Sequence, residues 1–168
     1  MDLPTLLPMQ PIDKYVELFN LLETLTFAKK TGSSNRRGFP DCHEAMTFGL
    51  VWRRFSHTSG VSSHTKKHPD AWKLIKSIGE DTGFSFSSVH VNKNVICPPH
   101  KDSKNAGKTL LVAFGDFTGG ESVVEGVSYD IDLKPVIFDG SKLLHWTAPF
   151  VGTRYSLVFY HHGLCIDK

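Results

Sequence analysis

The chain has 168 residues, of which 40% are hydrophobic and 21% charged, a composition typical of soluble globular proteins. No apolar run reaches the roughly 18–20 residues that span a bilayer, and the N-terminal segment lacks the basic and continuously apolar parts of a secretory signal. We therefore expect no membrane association. The three cysteines, Cys42, Cys97 and Cys165, are too few and too widely spaced for a disulfide framework, which predicts a reducing intracellular compartment, cytoplasm or nucleus.

Charge is distributed unevenly along the chain. Residues 29–76 contain ten lysines and arginines against three acidic residues, so this segment carries +7 and the remainder −5, for a net charge of +2. A basic segment of this kind favours an anionic partner such as single- or double-stranded nucleic acid. The same pattern also fits a solvated surface with its counter-charges nearby in space, and composition alone favours that second interpretation.

The first half of the chain is predicted to form helices and loops around one strand. Apolar residues recur with a helical period over residues 12–27, which predicts an amphipathic helix that packs on a sheet. Residues 29–42 and 56–63 are rich in turn-forming residues and are predicted to be loops. Residues 48–55 are predicted to form a flanking strand. Residues 69–78 are predicted to form a second short helix that ends at the following glycine.

The second half is predicted to consist of short strands. They are separated by polar or glycine-rich turns, among them residues 116–120 and 139–142. The predicted strands are 84–92, 109–114, 122–133, 135–138, 143–146 and 154–162. Many short strands without intervening helices indicate a mainly β fold with N-terminal helices, built on a barrel or jelly-roll core. We predict one domain over residues 1–168, with a helical and basic-loop layer (1–83) on a β core (84–162), and a monomer.

Three residues of the β core form a candidate metal site. Side chains alternate between the faces of an extended strand, so His100 and Asp102 can point to the same side and bind one ion. His145, from another predicted strand, supplies a third ligand. Two histidines and one carboxylate leave about three octahedral positions open, which is the arrangement of non-haem Fe(II) oxygenases. Such a set of ligands also accepts Mn, Co, Ni or Zn.

A candidate carboxylate-binding pair follows the metal motif. Arg154 and Ser156 lie on the last predicted strand, and their spacing places both on one face. A guanidinium group pairs with a carboxylate through two parallel hydrogen bonds, and a hydroxyl adds a further donor. The segment FTGGE (117–121) follows a predicted strand, and its glycines permit a tight turn and close backbone approach.

Taken in order, HxD at 100–102, FTGGE, His145 and RxS at 154–156 resemble the motifs of the double-stranded β-helix 2-oxoglutarate/Fe(II) dioxygenases. The similarity covers residues 89–162. The segments VNKNVICPPHKDSKNAG, LVAFGDFTGGE and VGTRYSLVFYHH most resemble the TET/JBP branch, which oxidises methyl groups on nucleic-acid bases. The resemblance implies a jelly-roll, cupin-like core and an iron-dependent hydroxylase.

The resemblance also implies a role for individual residues. His100, Asp102 and His145 would bind Fe(II), while Arg154, assisted by Ser156, would bind the distal carboxylate of 2-oxoglutarate. Either Asn92 or Asn94 would contact 2-oxoglutarate as well. The reaction would consume 2-oxoglutarate and O₂, with ascorbate as a reductant. In the related halogenases a halide takes the place of the Asp102 carboxylate, so its presence here implies hydroxylation.

Three functions are compatible with the sequence. The first is oxidation of a base methyl group, on thymine or 5-methylcytosine, which requires the base to be extruded and stacked on an aromatic side chain. The candidate aromatics are Phe39, Trp52, Phe55 and Trp72, and the candidate phosphate contacts are the pairs Arg36-Arg37, Arg53-Arg54 and Lys66-Lys67. The second function is hydroxylation of a small metabolite or a protein side chain, since one fold serves many substrates. The third is a non-catalytic, metal-binding cupin-like module, against which Arg154 and Ser156 argue.

Overall fold

The computed structural model describes residues 2–27, 29–30 and 43–165. Within these ranges the chain forms eleven strands, three helices and a final 3₁₀ turn at Gly163–Cys165. In chain order they are β1 (Thr5–Leu6), α1 (Asp13–Glu23), β2 (Lys29–Lys30), β3 (His43–Arg53), β4 (Thr58–Val61), α2 (Ser63–Lys67), α3 (Pro69–Asp81), β5 (Ser88–Lys93), β6 (Asn105–Gly119), β7 (Ser122–Val124), β8 (Val127–Tyr129), β9 (Val136–Phe138), β10 (His145–Thr147) and β11 (Phe150–His162). Among these helices none is long and apolar enough to cross a membrane.

Two antiparallel sheets form the framework. The larger sheet has the strand order β1-β9-β6-β11-β5-β3-β2, with β4 paired to β3, and the smaller sheet has the order β10-β7-β8. Backbone hydrogen bonds of 3.0 and 3.1 Å between His100 and His145 attach the segment before Asp102 to β10. The mainly β fold with N-terminal helices is therefore confirmed.

The main hydrophobic core lies between the larger sheet and the helices. Along β11, Tyr155, Leu157 and Phe159 point to this side and are fully buried, as the sequence alternation predicts. They pack with Leu18 and Ile75 of the two long helices. Burying a side chain of this size contributes about 1.5–3 kcal/mol, so this face is a large source of the fold's stability. The opposite face of the same strands lines a cavity.

The N-terminal region contributes strands as well as helices to this framework. β3 pairs with β5 inside the larger sheet, so the first 83 residues are not a separate layer. Lys29–Lys30 pair with β3, although a loop is predicted there, and residues 31–42 lie outside the described ranges. The predicted loop 56–63 is wrong, because Thr58–Val61 return as β4 and Ser62 caps α2 by accepting a hydrogen bond from the Thr65 N–H.

Both long helices differ from their predicted ends. α1 stops at Glu23, four residues early, where the Thr24 hydroxyl donates to the Leu21 carbonyl and competes with the helical pattern. α3 continues through Gly79 to Asp81. The glycine that ends it is Gly83, whose positive φ of 76° is the usual conformation after a helix C-terminus.

Two predicted features of the β core are also wrong. Residues 116–119 are not a turn but the end of β6, which stays paired with β11 as far as Gly119. The predicted strand 122–133 contains the hairpin of β7 and β8, because Glu125 and Gly126 both adopt positive φ, as two-residue hairpin turns require.

Gly79 gives a stability prediction. Alanine normally favours a helix over glycine by about 1 kcal/mol. Here a Cβ would lie 2.5 Å from Cε1 of Phe86 and 2.6 Å from Cε1 of Phe159. We expect Gly79→Ala to lower the free energy of unfolding by about 1–3 kcal/mol, measured by urea denaturation. Lys76→Ala, on the exposed side of the same helix, should change it by less than about 0.5 kcal/mol. A Gly79→Ala variant as stable as the parent would show that the two rings move aside freely.

Candidate active site

His100, Asp102 and His145 come together as one cluster. Their potential ligand atoms all lie within 4.8 Å of one another. Asp102 Oδ1 is 3.5 Å from His100 Nε2, and Asp102 Oδ2 is 3.2 Å from His145 Nε2. The three residues predicted to share a metal ion therefore do meet at one point.

The local backbone holds both histidines with the same nitrogen facing the cluster. His100 Nδ1 lies 2.6 Å from the Pro98 carbonyl oxygen, and His145 Nδ1 lies 2.8 Å from the Leu143 carbonyl oxygen. A carbonyl can only accept, so each Nδ1 carries a proton and each Nε2 faces the cluster, where it can donate to Asp102 or, once deprotonated, bind an ion. This arrangement is how proteins orient metal-binding histidines.

Asp102 is held by the backbone outside any regular strand. Its N–H donates to the Gly140 carbonyl over 2.8 Å. Burial raises the pKa of Asp102, but hydrogen bonds and charge interactions with His100 and His145 outweigh it and hold the pKa well below its usual range. A Cβ at Gly140 would lie 3.0 Å from Asp102 Oδ2, so the absence of a side chain there leaves room for the carboxylate.

The cluster opens into a cavity of about 1300 Å³. Arg154, Ser156 and Asn92 line it, from the faces of β11 and β5 that point away from the helices. The cavity is large enough for a small acid and a further substrate group together, since ligand pockets of about 300–1000 Å³ are usual. The predicted metal and carboxylate sites thus share one chamber.

Arg154 is the buried cation of this chamber. Its guanidinium packs against a pair of rings in edge-to-face contact, Phe117 and Phe150, with Cζ 5.6 and 5.4 Å from their centroids, and one Nη donates to the Gly120 carbonyl. Only 3% of Arg154 is exposed, and burial lowers its pKa to about 10. Within the described ranges Nε has no hydrogen-bond partner, and the nearest compensation comes from charge interactions with Cys97, Asp132 and Glu121, which offset only part of the effect of burial on its pKa. A buried charge of this kind is stabilised by an anionic ligand.

The structure separates the two candidate asparagines. Asn92 lines the cavity, and its amide nitrogen lies 3.4 Å from Ser156 Oγ. Asn94 adopts a positive φ of 53° outside the cavity lining, and its side chain accepts from the Arg154 N–H over 2.7 Å. The prediction that Asn94 contacts a cosubstrate is therefore not supported, because its amide is occupied in fixing the backbone of Arg154.

Several further residues shape or border the cavity, and the sequence predicts no role in the site for most of them. Gly120 must lack a side chain, because a Cβ there would lie 2.7 Å from Arg154 Nε. This glycine belongs to FTGGE, where the sequence predicts a close approach to the backbone. Thr109 borders the cavity with its hydroxyl buried and unpaired among the described residues. His90 lies on the cavity wall, with its Nδ1 3.0 Å from the Thr47 hydroxyl. Cys97 also borders the cavity.

The candidate aromatic and basic residues fall into different places. Trp52 lines the cavity, whereas Trp72 packs parallel to Phe48 in the main core. Phe55 lies in the turn between β3 and β4 and is fully exposed. Phe39, Arg36 and Arg37 lie outside the described residues. Among the residues of the other two basic pairs, only Arg54 is in the lining of the cavity.

Metal binding tests the cluster directly. We expect His100→Ala to weaken Co(II) or Fe(II) binding by more than about 100-fold, since even the loss of a residue that merely orients a ligand costs 10–100-fold. Calorimetric titration of the purified protein under nitrogen measures this. The matched control is His90→Ala, which removes a cavity histidine outside the cluster and should bind the ion as the parent does. Equal weakening in both variants would contradict the assignment of His100.

The comparisons with known proteins agree with this geometry. No protein-family model and no curated protein sequence matches the chain. Solved structures do match. The chain is similar to NgTET1 in complex with 5mC DNA, with a TM-score of 0.64 and 15% identity over 98% of this chain and 74% of that one. It is similar to a 2OG-Fe(II) oxygenase family oxidoreductase from Burkholderia pseudomallei, with a TM-score of 0.60 and 14% identity over 94% and 84%.

A Pseudomonas putida prolyl-4-hydroxylase also matches, with a TM-score of 0.56 and 12% identity over 95% of this chain and 92% of that one. At identities this low, the similarity in structure establishes the fold alone. The chain therefore has the jelly-roll, double-stranded β-helix fold of the 2-oxoglutarate/Fe(II) oxygenases, as its motifs indicate, and its His-Asp-His cluster and buried arginine fit Fe(II) and 2-oxoglutarate.

Proposed function

We propose that this protein is an Fe(II)- and 2-oxoglutarate-dependent hydroxylase that oxidises a methyl group on a nucleic-acid base, thymine or 5-methylcytosine. The observation that carries the chemistry is the buried guanidinium of Arg154, whose Nε has no hydrogen-bond partner among the described residues and which shares a cavity with the His-Asp-His cluster. A metal-binding module without a cosubstrate has no use for such a cation. The charge and the aromatic side chains around the cavity support the choice of substrate.

The protein's own residues bind and orient the reactants. His100, Asp102 and His145 would hold Fe(II), at which O₂ would serve as the oxidant of both 2-oxoglutarate, giving succinate and CO₂, and the substrate C–H bond. Arg154 would pair with one carboxylate of 2-oxoglutarate, and Ser156 and Asn92 offer it further hydrogen bonds from the same wall. The rings of Phe117 and Phe150 exclude water from this end of the cavity, which strengthens the pairing.

The cavity wall is suited to a polyanion. Besides Arg154, its charged lining residues are Arg54, Lys101 and Lys104, against a single acid, Asp102, in the described part of the chain. Lysine and arginine at the entrance of a site contact phosphates and raise affinity in a salt-dependent manner. Trp52, on the same wall, offers a face on which an extruded base can stack. The similarity in fold to a protein solved with 5mC DNA supports the same substrate class.

A second candidate is hydroxylation of a protein side chain. The similarity in fold to a prolyl-4-hydroxylase favours it, and the same metal and cosubstrate sites would serve. A peptide substrate would not require the cationic residues around the cavity. The two candidates therefore differ in the salt dependence of substrate binding.

Removal of the Arg154 side chain tests the cosubstrate site. We expect Arg154→Ala to raise the half-saturating 2-oxoglutarate concentration by at least about 30-fold, since losing one partner of a buried charge pair costs about 2–5 kcal/mol. Succinate production at varied 2-oxoglutarate measures it. Ser156→Ala, which removes one neutral hydroxyl from the same wall, should have a smaller effect, about tenfold or less. An unchanged requirement in Arg154→Ala would place 2-oxoglutarate elsewhere.

Nucleoside mass spectrometry tests the substrate. The protein is incubated with Fe(II), ascorbate and 2-oxoglutarate, and with single- and double-stranded DNA and RNA that contain thymine, uracil or 5-methylcytosine. We expect a hydroxymethylated or further oxidised base with the parent protein, and none with His100→Ala. Succinate formed without any oxidised base would contradict the nucleic-acid substrate and favour a peptide or metabolite. No succinate from any substrate would favour a non-catalytic module.

A further inference from the structure

The end of β3 leaves the sheet and forms a projecting hairpin with β4. As far as Gly49, β3 pairs with β5, and Leu50 keeps a backbone hydrogen bond to Ser87; among the described residues Val51–Arg53 pair only with Thr58–Gly60 of β4. Gly49 permits the change because it adopts a φ of +83°, and a Cβ there would lie 2.5 Å from the Ser87 carbonyl oxygen. Trp52 and Arg54 of this hairpin border the cavity. The hairpin therefore stands beside the entrance to the candidate active site.

The tip of this hairpin carries an aromatic side chain with no packing role. Phe55 is fully exposed, and no other phenylalanine, tyrosine or tryptophan of the described residues belongs to the exposed class. The two arginines that precede it, Arg53 and Arg54, are exposed, as is His57 two residues after it. A single exposed apolar residue needs no explanation by itself. A phenyl ring among cations, one residue from the wall of a catalytic cavity, fits the chemistry of a nucleic-acid contact.

The turn is held by contacts of its own. Ser56 and Thr58 are joined by a hydrogen bond of 2.7 Å between their hydroxyl groups. The Arg53 guanidinium lies over Gly60, where a Cβ would be 2.6 Å from Cζ, and it donates to the Val61 carbonyl over 3.3 Å. These contacts brace the base of the turn that carries Phe55.

We propose that the β3–β4 hairpin is a wedge that enters a base-paired duplex, with Phe55 taking the place of the base drawn into the cavity. This inference rests on the proposed function. A methyl group inside a duplex is reached only when its base is extruded, and unstacking costs free energy. Apolar side chains inserted between base steps offset that cost, and aromatic rings stack on any base. Successive Cα atoms are about 3.8 Å apart, so Phe55 is adjacent to a residue of the cavity wall.

The wedge explains how the other cavity residues act. Arg54 would contact a phosphate next to the extruded nucleotide, and Trp52 would stack on the base itself. Lys101 and Lys104, on the segment around Asp102, would contact the backbone from a second element. On a single strand there is no partner base to replace, so Phe55 is needed far less there.

The first test measures unstacking without turnover. The full chain is loaded with Fe(II) and 2-oxoglutarate under nitrogen and mixed with a DNA duplex in which 2-aminopurine flanks a 5-methylcytosine or thymine. We expect the parent to increase the 2-aminopurine fluorescence and Phe55→Ala to lose most of that increase. Phe55→Trp should restore it. Val151→Ala removes an exposed apolar side chain outside the cavity lining and should behave as the parent. An increase in Phe55→Ala equal to that of the parent, or none in the parent, would overturn the wedge.

The second test compares turnover on duplex and single strand. Loss of one base–aromatic stack corresponds to roughly 5- to 150-fold, so we expect Phe55→Ala to slow duplex oxidation by about tenfold or more and single-strand oxidation by much less. Equal slowing on both would overturn the wedge. If the parent unstacks the duplex but oxidises no base, the wedge stands and the proposed reaction fails. If the parent oxidises duplex DNA and Phe55→Ala does so equally well, the reaction stands and the wedge fails.

Discussion

The burial of the Arg154 charge is the constraint on which the rest of the site depends. Placing a guanidinium against two phenylalanine rings, almost fully removed from water, is unfavourable unless each of its contacts is fixed. The backbone of Arg154 exchanges two hydrogen bonds with Asn94, and its side chain reaches the carbonyl of Gly120. Gly120 can lie this close only because it has no side chain. A charge held in place before its ligand arrives loses little further freedom on binding, which favours tight pairing with a carboxylate.

The metal cluster depends on the closure of the two sheets. His100 and His145 belong to segments far apart in sequence, and the pair of backbone hydrogen bonds between them is what brings their imidazole rings to a centroid distance of 4.2 Å. Each ring is then oriented by a carbonyl two residues before it in the chain. Asp102 enters the cluster through a backbone bond to Gly140, from the turn before β10. The site is therefore rigid in its backbone, as catalytic geometry requires.

The sequence predicts the cavity face well and the peripheral elements poorly. The Arg154–Ser156 pair could be found because its chemistry demands particular residue types at a spacing of two, which β11 converts into one face. The triad could be found from its residue types, although the segment that carries His100 and Asp102 forms no regular strand. The ends of α3 and β6 could not, because the glycines there were interpreted as local turn signals. Gly79 is small to make room for Phe86 and Phe159, a tertiary requirement that no local pattern reveals. The sequence does not predict β4, because its four residues are mostly small and polar and pair with one strand only.

Stability and chemistry are interleaved along the same strand, and this couples them. On β11, Tyr155, Leu157 and Phe159 anchor the helices while Arg154 and Ser156 face the cavity. A shift of one residue in register would bury the guanidinium in the helix-facing core and turn the aromatic rings into the cavity, so the hydrophobic pattern strongly excludes it. The Tyr155 hydroxyl also donates to Glu23 at the end of α1 over 2.8 Å, which ties the helix layer to this register. The packing that stabilises the fold is thus also what holds Arg154 and Ser156 on the side of the metal cluster.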